Sequence, residues 1–361
     1  MRAYANLDYG IIDADQHWDG TDIPRDMFRP RIPRSLQERA PVWIDLDEAG
    51  EGISFKGGAR IVRLVKKGDT AGGTRMPAGT TVAERLKDMD IDGIHAAVLF
   101  SVEMPINQAY EGDREMVVGL IRAYNDYKLE EVSQPSANRL FTLAMLPQTD
   151  VKDAVEEMQR CVALGHKGVT LTQWPAGPEA SSDDDYFWAA AAECQTAVCV
   201  HAVNNFGGRE AIAQTMHSTM VADRFPGLRI GMIELGAGWV PYFLQESDRT
   251  WLVYRFSDGY KDWVTRQGRD PGMVTGGVLS PSDSFHRLFH LSFMFDQLAV
   301  EWRHNIGIGR LMWSTDYPHG GTAWPQSRIQ FDHLFANLPP DEVKLLVHDN
   351  AKEFYHLDEV A

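Results

Sequence analysis

The chain has 361 residues, 44% hydrophobic and 24% charged, enough to bury a large core and too apolar to be disordered. A formal net charge of -16, with no Lys/Arg run longer than Lys66-Lys67, argues against sequence-independent nucleic-acid binding, which needs a basic face against phosphates. The first residues do not read as a basic-then-apolar leader, and no apolar run nears the roughly 18 residues that span a bilayer. The expected setting is therefore cytoplasmic, with a small-molecule substrate and neither nucleic acid nor membrane as partner.

The first predicted element is a strand opening the stretch GIIDADQHWDG, Gly10–Gly20. If it continues, Asp13, Asp15 and His17 project to one side, because alternate residues of a strand share a face. Pro41–Gly79 follows, with alternating apolar residues and many glycines, which read as a β-rich insertion. Further short apolar strands are predicted at Gly93–Phe100, Leu140–Pro147, Lys167–Thr172, Ala197–His201, Leu228–Leu235 and Leu311–Asp316, alternating with helices such as Val151–Leu164 and Asp184–Gln195. Continuous apolar strands separated by helices predict a parallel sheet covered on both faces, an α/β fold.

That makes seven strands. Leu288–Phe295 fits either an eighth strand or a helix, and eight βα units in this length predict a (β/α)8 TIM barrel, distorted, in one domain over 1–361. Pro41–Gly79 and the aromatic, Gly/Pro-punctuated Trp251–Ser284 are expected near the barrel mouth as lid or subunit contact. Cys161, Cys194 and Cys199 are odd in number and form no CxxC pair, so they predict buried hydrophobes rather than a disulfide or thiolate site.

The ionisable residues cluster where the strands end. Asp13, Asp15 and His17 close the first strand, His201 the fifth, Glu234 the sixth, and Asp316 the last, followed by Tyr317-Pro318-His319. The C-terminal strand ends of a parallel barrel converge on one face, which is where active sites lie. Carboxylates and imidazoles without thiolates suit Zn²⁺ or Mn²⁺, and a cation would offset charges that are costly to bury. Taken singly, His201 reads more often as a hydrogen-bonded core histidine than as a ligand, and Asp13, Asp15 or Asp316 can be read as turn residues.

Several motifs carry a resemblance to a known family. DADQH is similar to a first-strand D-x-[HDE]-x-H element, CVH to a fifth-strand histidine, IELGAGWVPYFL to a sixth-strand Gly-rich segment, and MWSTDYPHGGTAWPQS to an eighth-strand [ST]-D-[YFW]-P signature. Together they resemble the amidohydrolase superfamily, within it the ACMSD-like amidohydrolase family 2 of metal-dependent TIM-barrel hydrolases and decarboxylases, from Ile11 to the terminal NAKEFYHL. The resemblance implies one divalent metal per chain, Zn²⁺ first and Mn²⁺ as the alternative, held by Asp15, His17, His201 and Asp316, with Asp316 also handling a proton. A homodimer or homotetramer is the family's habit.

Two departures stand out. The first ligand position holds Asp15 where many members have histidine, and the sixth strand ends in Glu234 where ACMSD-like decarboxylases place a catalytic histidine. Glu234 or His319 is expected to take that role, with Trp174 in LTQWP and His319 as substrate-facing residues. His95, His166, His286 and His290 are expected to be structural.

The missing histidine tilts the expected reaction toward hydrolysis by a metal-activated water, acting on a small aromatic or carboxylate-bearing substrate. Non-oxidative decarboxylation on the same ligands is the alternative. A catalytically silent ligand-binding barrel is the second. Arg60, Arg63 and Arg75 are candidates to clamp a substrate carboxylate.

Overall fold

In the computed structural model the described residues are 7–18, 22–46, 51–58, 60–64, 81–101, 104–202, 205–267 and 277–360. Eight parallel strands follow one another in chain order. They are β1 (Ile12–His17), β2 (Ala96–Phe100), β3 in two pieces (Leu140–Thr142 and Ala144–Met145), β4 (Gly168–Leu171), β5 (Ala197–His201), β6 (Arg229–Ile233), β7 (Phe289–Phe293) and β8 (Leu311–Trp313). The ambiguous segment at Leu288–Phe295 is thus the strand β7.

Each strand pairs with the next in parallel register, and β8 meets β1 through the bridge between Gln16 and Tyr317. Backbone bonds close that seam: His17 N donates to Tyr317 O at 2.8 Å and Asp316 N to Asp15 O at 2.9 Å. This is a (β/α)8 barrel.

The helices form where the 3.6-residue period is strongest. Val151–Leu164 begins at the N-cap Asp150, whose side chain accepts from Lys152 N, and stops at Gly165 with φ 114°, a left-handed position that glycine takes without steric cost. It buries Ala154, Val155, Met158 and Cys161 on one face against the barrel. The helix Val82–Asp92 starts with a capping box between Thr81 and Glu84 and ends at Gly93, also left-handed.

Inside the barrel a second apolar cluster gathers Ile12, Ala14, Ala96, Val98, Ala197, Cys199, Ile233 and Met312 with Phe354, Tyr355 and Leu357 from the C-terminal segment. The strands admit those rings by being small: a Cβ at Gly231 would stand 3.1 Å from both Cys199 Sγ and the Phe354 ring. The N-terminal end of the lumen is therefore plugged with hydrocarbon.

Pro41–Gly79 contains an antiparallel sheet of Val42–Asp45, Glu51–Phe55 and Arg60–Leu64; residues 65–79, and with them Arg75, lie outside the described residues, as does the Arg63 side chain. The described part of Trp251–Ser284 is helical, formed by the end of Val240–Phe256, by Asp258–Arg266 and by the start of Pro281–Leu288. Among the described residues no helix is long and apolar enough to cross a membrane.

Candidate metal centre

Asp15 and His17 lie on β1, His201 ends β5, Glu234 follows β6, and Asp316 and His319 follow β8, so four strand ends contribute. All six residues named from the sequence as ligands or acid–base groups come together there. Asp15 Oδ1 stands 3.6 Å from His17 Nε2 and 3.5 Å from His201 Nε2, and the three donor atoms lie within 4.8 Å of one another. His17 Nε2 is 2.9 Å from Asp316 Oδ1, which is also 2.9 Å from His319 Nδ1. His319 stacks on His17 with ring centroids 3.8 Å apart, while His201 meets His17 edge-on at 5.0 Å.

The donor set fits a divalent cation. Asp15 is fully buried, and neither of its carboxylate oxygens has a hydrogen-bond partner, which a buried anion tolerates only if something else neutralises it. Bonds of roughly 2.1 Å to a common centre place tetrahedral neighbours about 3.4 Å apart, close to the observed donor spacings. Nitrogen and oxygen donors without sulfur match Zn²⁺, Mn²⁺ or Fe²⁺ rather than a soft metal.

Asp13 has a different task from its neighbours. The register of β1 against β2 slips between Asp13 and Gln16, so the alternation that would put Asp13, Asp15 and His17 on one side is broken by a bulge. Asp13 accepts from Thr315 N at 2.9 Å, from Thr315 Oγ1, from Gln16 Nε2 at 2.9 Å and from Asp15 N at 3.2 Å. Burial pushes its carboxyl up to about 7 despite those bonds. It laces β1 to β8, just below the two segments that carry Asp15, His17 and Asp316.

Electrostatics separate the other two carboxylates. Burial acts to raise Asp316, yet its bonds to His17 and His319 outweigh it and hold the carboxyl below the usual range. Burial and the Asp316 charge raise Glu234, whose Oε2 is 3.5 Å from His201 Nε2. Both sit at φ 58°, a left-handed conformation that is uncommon for residues with side chains and that clusters at functional sites. Ser292 on β7 fixes the Glu234 backbone by accepting from its N at 2.8 Å.

A chamber of about 260 Å³ opens from His201 along the ends of β3 and β4, lined among others by Arg60, Asn107, Gln148, Thr172 and Trp174. Trp174 is buried, in edge-on contact with Phe206 at 4.9 Å, and forms a wall of this chamber. Arg60, on the last strand of the inserted sheet, reaches the chamber and has no ion-pair partner among the described residues. Asn107 and Gln148 are chamber residues that motif reasoning passed over, because isolated amides carry no spacing signal. A larger cavity of about 790 Å³ lies between Arg209–Ser218 and Val240–Phe256, but none of the clustered residues reaches it.

The histidines set aside from the sequence are elsewhere. His166 precedes β4 with Nδ1 3.1 Å from Thr142 Oγ1, and burial pushes it down to about 3, a neutral core residue. His290 faces Phe354 and Arg310 at the plugged end. His95 adjoins Gly10 and His286 adjoins Gly307, both away from the cluster.

The family model for amidohydrolases matches residues 12–357. A gamma-resorcylate decarboxylase from Rhizobium sp. is 26% identical over 266 residues, 65% of this chain and 76% of that protein. Among solved structures, an amidohydrolase from Mycobacterium avium subsp. paratuberculosis superposes with a TM-score of 0.70 at 18% identity, over 97% of this chain and 100% of that one. A 5-carboxyvanillate decarboxylase from Novosphingobium aromaticivorans, solved with manganese and 4-hydroxy-3-methoxy-5-nitrobenzoic acid, superposes with a TM-score of 0.65 at 15% identity, over 97% of this chain and 96% of that one.

Proposed function

Because this chain belongs to the amidohydrolase family, we propose that it is a metal-dependent enzyme that removes the carboxyl group of a small aromatic acid as CO₂. The observation that carries the reading is the orphaned Asp15 carboxylate between His17 and His201, with the Asp316–His319 pair beside it. The sequence favoured hydrolysis because the sixth strand lacks its histidine. The named relatives favour the decarboxylase alternative, and His319 offers an imidazole at the same centre without that histidine.

Asp15, His17, His201 and Asp316 would hold one divalent ion. When bound, the ion supplies positive charge that orients an anionic substrate and stabilises charge developing on it. Mn²⁺ is preferred to Zn²⁺ here, since two carboxylate ligands with Glu234 alongside make a hard donor set.

Asp316, ionised at rest, relays a proton from the His319 imidazolium to the ring carbon bearing the carboxylate, where it makes the new C–H bond. The C–CO₂ bond breaks, its electron pair returns to the ring, and CO₂ leaves. His319 Nδ1, 2.9 Å from Asp316 Oδ1 and partly exposed, restores the proton from solvent. Trp174 presents an apolar wall to the ring, and Arg60 faces the substrate's anionic edge. A homodimer or homotetramer is the expected assembly, which light scattering reads directly.

The test is a panel of hydroxybenzoic acids incubated with Mn²⁺-loaded protein in D₂O. Release of CO₂ with one deuterium at the vacated carbon, absent in Asp316→Asn, is the expected result. Cleavage of amides or lactones with no CO₂ from any acid would return the assignment to hydrolysis.

A further inference from the structure

Arg85 is a fully buried guanidinium that the chemistry above does not use. It rises from the helix Val82–Asp92 and lies between two rings, its Cζ 5.3 Å from the centroid of Trp18 and 5.1 Å from that of Tyr317. Its Nη1 donates to the carbonyl of His17 at 2.7 Å, and Nη2 is 3.9 Å from the buried Asp22 carboxylate. Trp18 follows one ligand in sequence and Tyr317 follows another, Asp316. One side chain therefore touches the segments that present two of the four ligands.

The same helix grips the eighth-strand loop at two more points. Tyr317 Oη donates to Asp88 Oδ2 at 2.8 Å, and Trp324 Nε1 donates to the Asp88 carbonyl at 3.0 Å. Ser327 donates from N and Oγ to Asp92 at 2.9 and 2.5 Å. Positions 85, 88 and 92 fall on one helix face, so three residues over two turns hold the loop running from Tyr317 to Ser327. Among the described residues β1 and β8 share one bridge, two backbone bonds and the Asp13–Thr315 bonds rather than a continuous ladder, so side chains add to what holds the seam.

We infer that Arg85 is a positioning residue of the metal centre, clamping the end of β1 to the loop after β8 so that His17 and Asp316 stand at ligand spacing. The inference rests on the metal-site reading given above. The planar fork explains the residue type: it fills the gap between two rings and donates sideways, which a compact ammonium does not reproduce.

The experiment compares the wild type, Arg85→Met, Arg85→Lys and a control, Met158→Ala, whose side chain is buried in the core on the helix Val151–Leu164 and contributes to neither β1 nor the loop after β8. Mn²⁺ and Zn²⁺ affinities are measured by competition with a chelating dye, beside Tm of the metal-free proteins. Both Arg85 variants should bind Mn²⁺ at least ten-fold more weakly, while Met158→Ala loses Tm and keeps its affinity. Should Arg85→Met fail to fold, Arg85→Lys alone decides, since it keeps the charge. Wild-type affinity in Arg85→Lys or Arg85→Met, or an equal loss in Met158→Ala, overturns the inference. A wild type that binds neither ion overturns the metal-site reading itself, a separate outcome.

Discussion

At the N-terminal end of the barrel the lumen is filled by Phe354, Tyr355 and Leu357 against Ala14, Ala197 and Gly231; at the C-terminal end the same barrel closes on Asp15, Asp316 and three imidazoles. The plugged end is mostly apolar contact, with few polar groups at its edge: Tyr355 Oη donates to Ala14 O at 3.2 Å and accepts from Cys199 Sγ, and His290 Nε2 stands 3.1 Å from Arg310 Nη1. The open end holds a buried anion with no hydrogen-bond partner and two carboxylate residues in left-handed backbone. Stability is concentrated at one end and unmet demand at the other, and that demand is what a cation and a substrate answer.

The comparison can be broken most forcefully at the plug. Phe354→Ala removes a fully buried ring and should cost about 3–5 kcal/mol in chemical denaturation. Its metal stoichiometry should stay that of the wild type, because the candidate ligands hang from the other end; loss of metal in a folded Phe354→Ala protein would show that the two ends are not independent.

A buried charge outside the site gives the next largest effect. Lys128 donates to Leu143 O at 2.5 Å, and burial pushes its ammonium down to about 7 from an ordinary 10.5. Between those values the unfolded chain binds the extra proton, so stability rises with pH across the window by up to about 1.4 kcal/mol per unit and is least below pH 7. Lys128→Met should flatten that rise in denaturation curves taken from pH 7 to 10; an unchanged slope would reject the assignment.

Asp15→Asn sharpens the contrast by reversing its sign. With chelator present the variant should be more stable than wild type by about 1–3 kcal/mol, since a buried carboxylate without a hydrogen-bond partner is replaced by a neutral amide. With Mn²⁺ added the order should invert, because only the wild type gains from binding. A variant less stable under both conditions would mean that Asp15 is satisfied without metal.

The smallest effect concerns strain. Glu234 at φ 58° should make Glu234→Gly neutral to stabilising by about 1 kcal/mol in thermal melts, whereas activity should fall. Clear destabilisation would place Glu234 in a structural role.

The barrel was legible because its strands are short apolar runs between amphipathic helices: Ala197–His201 and Val151–Leu164 have the boundaries their periodicity predicts. The clustering of the candidate ligands was legible for a related reason, since a charged residue ending a buried strand has little structural excuse. The bulge in β1 was not, because one extra residue leaves no mark on the alternation IDADQH, and so Asp13 looked like a companion of Asp15 rather than the lace to Thr315. Arg85 was hidden too: at its position in VAERLKDMD it reads as a solvated charge, and only the fold brings Trp18 and Tyr317 around it. Hydrolysis was favoured on the absence of one histidine, because sequence alone could not show His319 stacked on His17 and bonded to Asp316.

The account turns on one measurement: metal content by plasma mass spectrometry of protein purified without chelator or affinity metal, alongside Asp15→Ala and His201→Ala. About one equivalent of Mn or Zn per wild-type chain, lost in both variants while their circular dichroism is unchanged, is the predicted result. A wild type that is empty and gains no thermal stability from added Mn²⁺ or Zn²⁺ would contradict it.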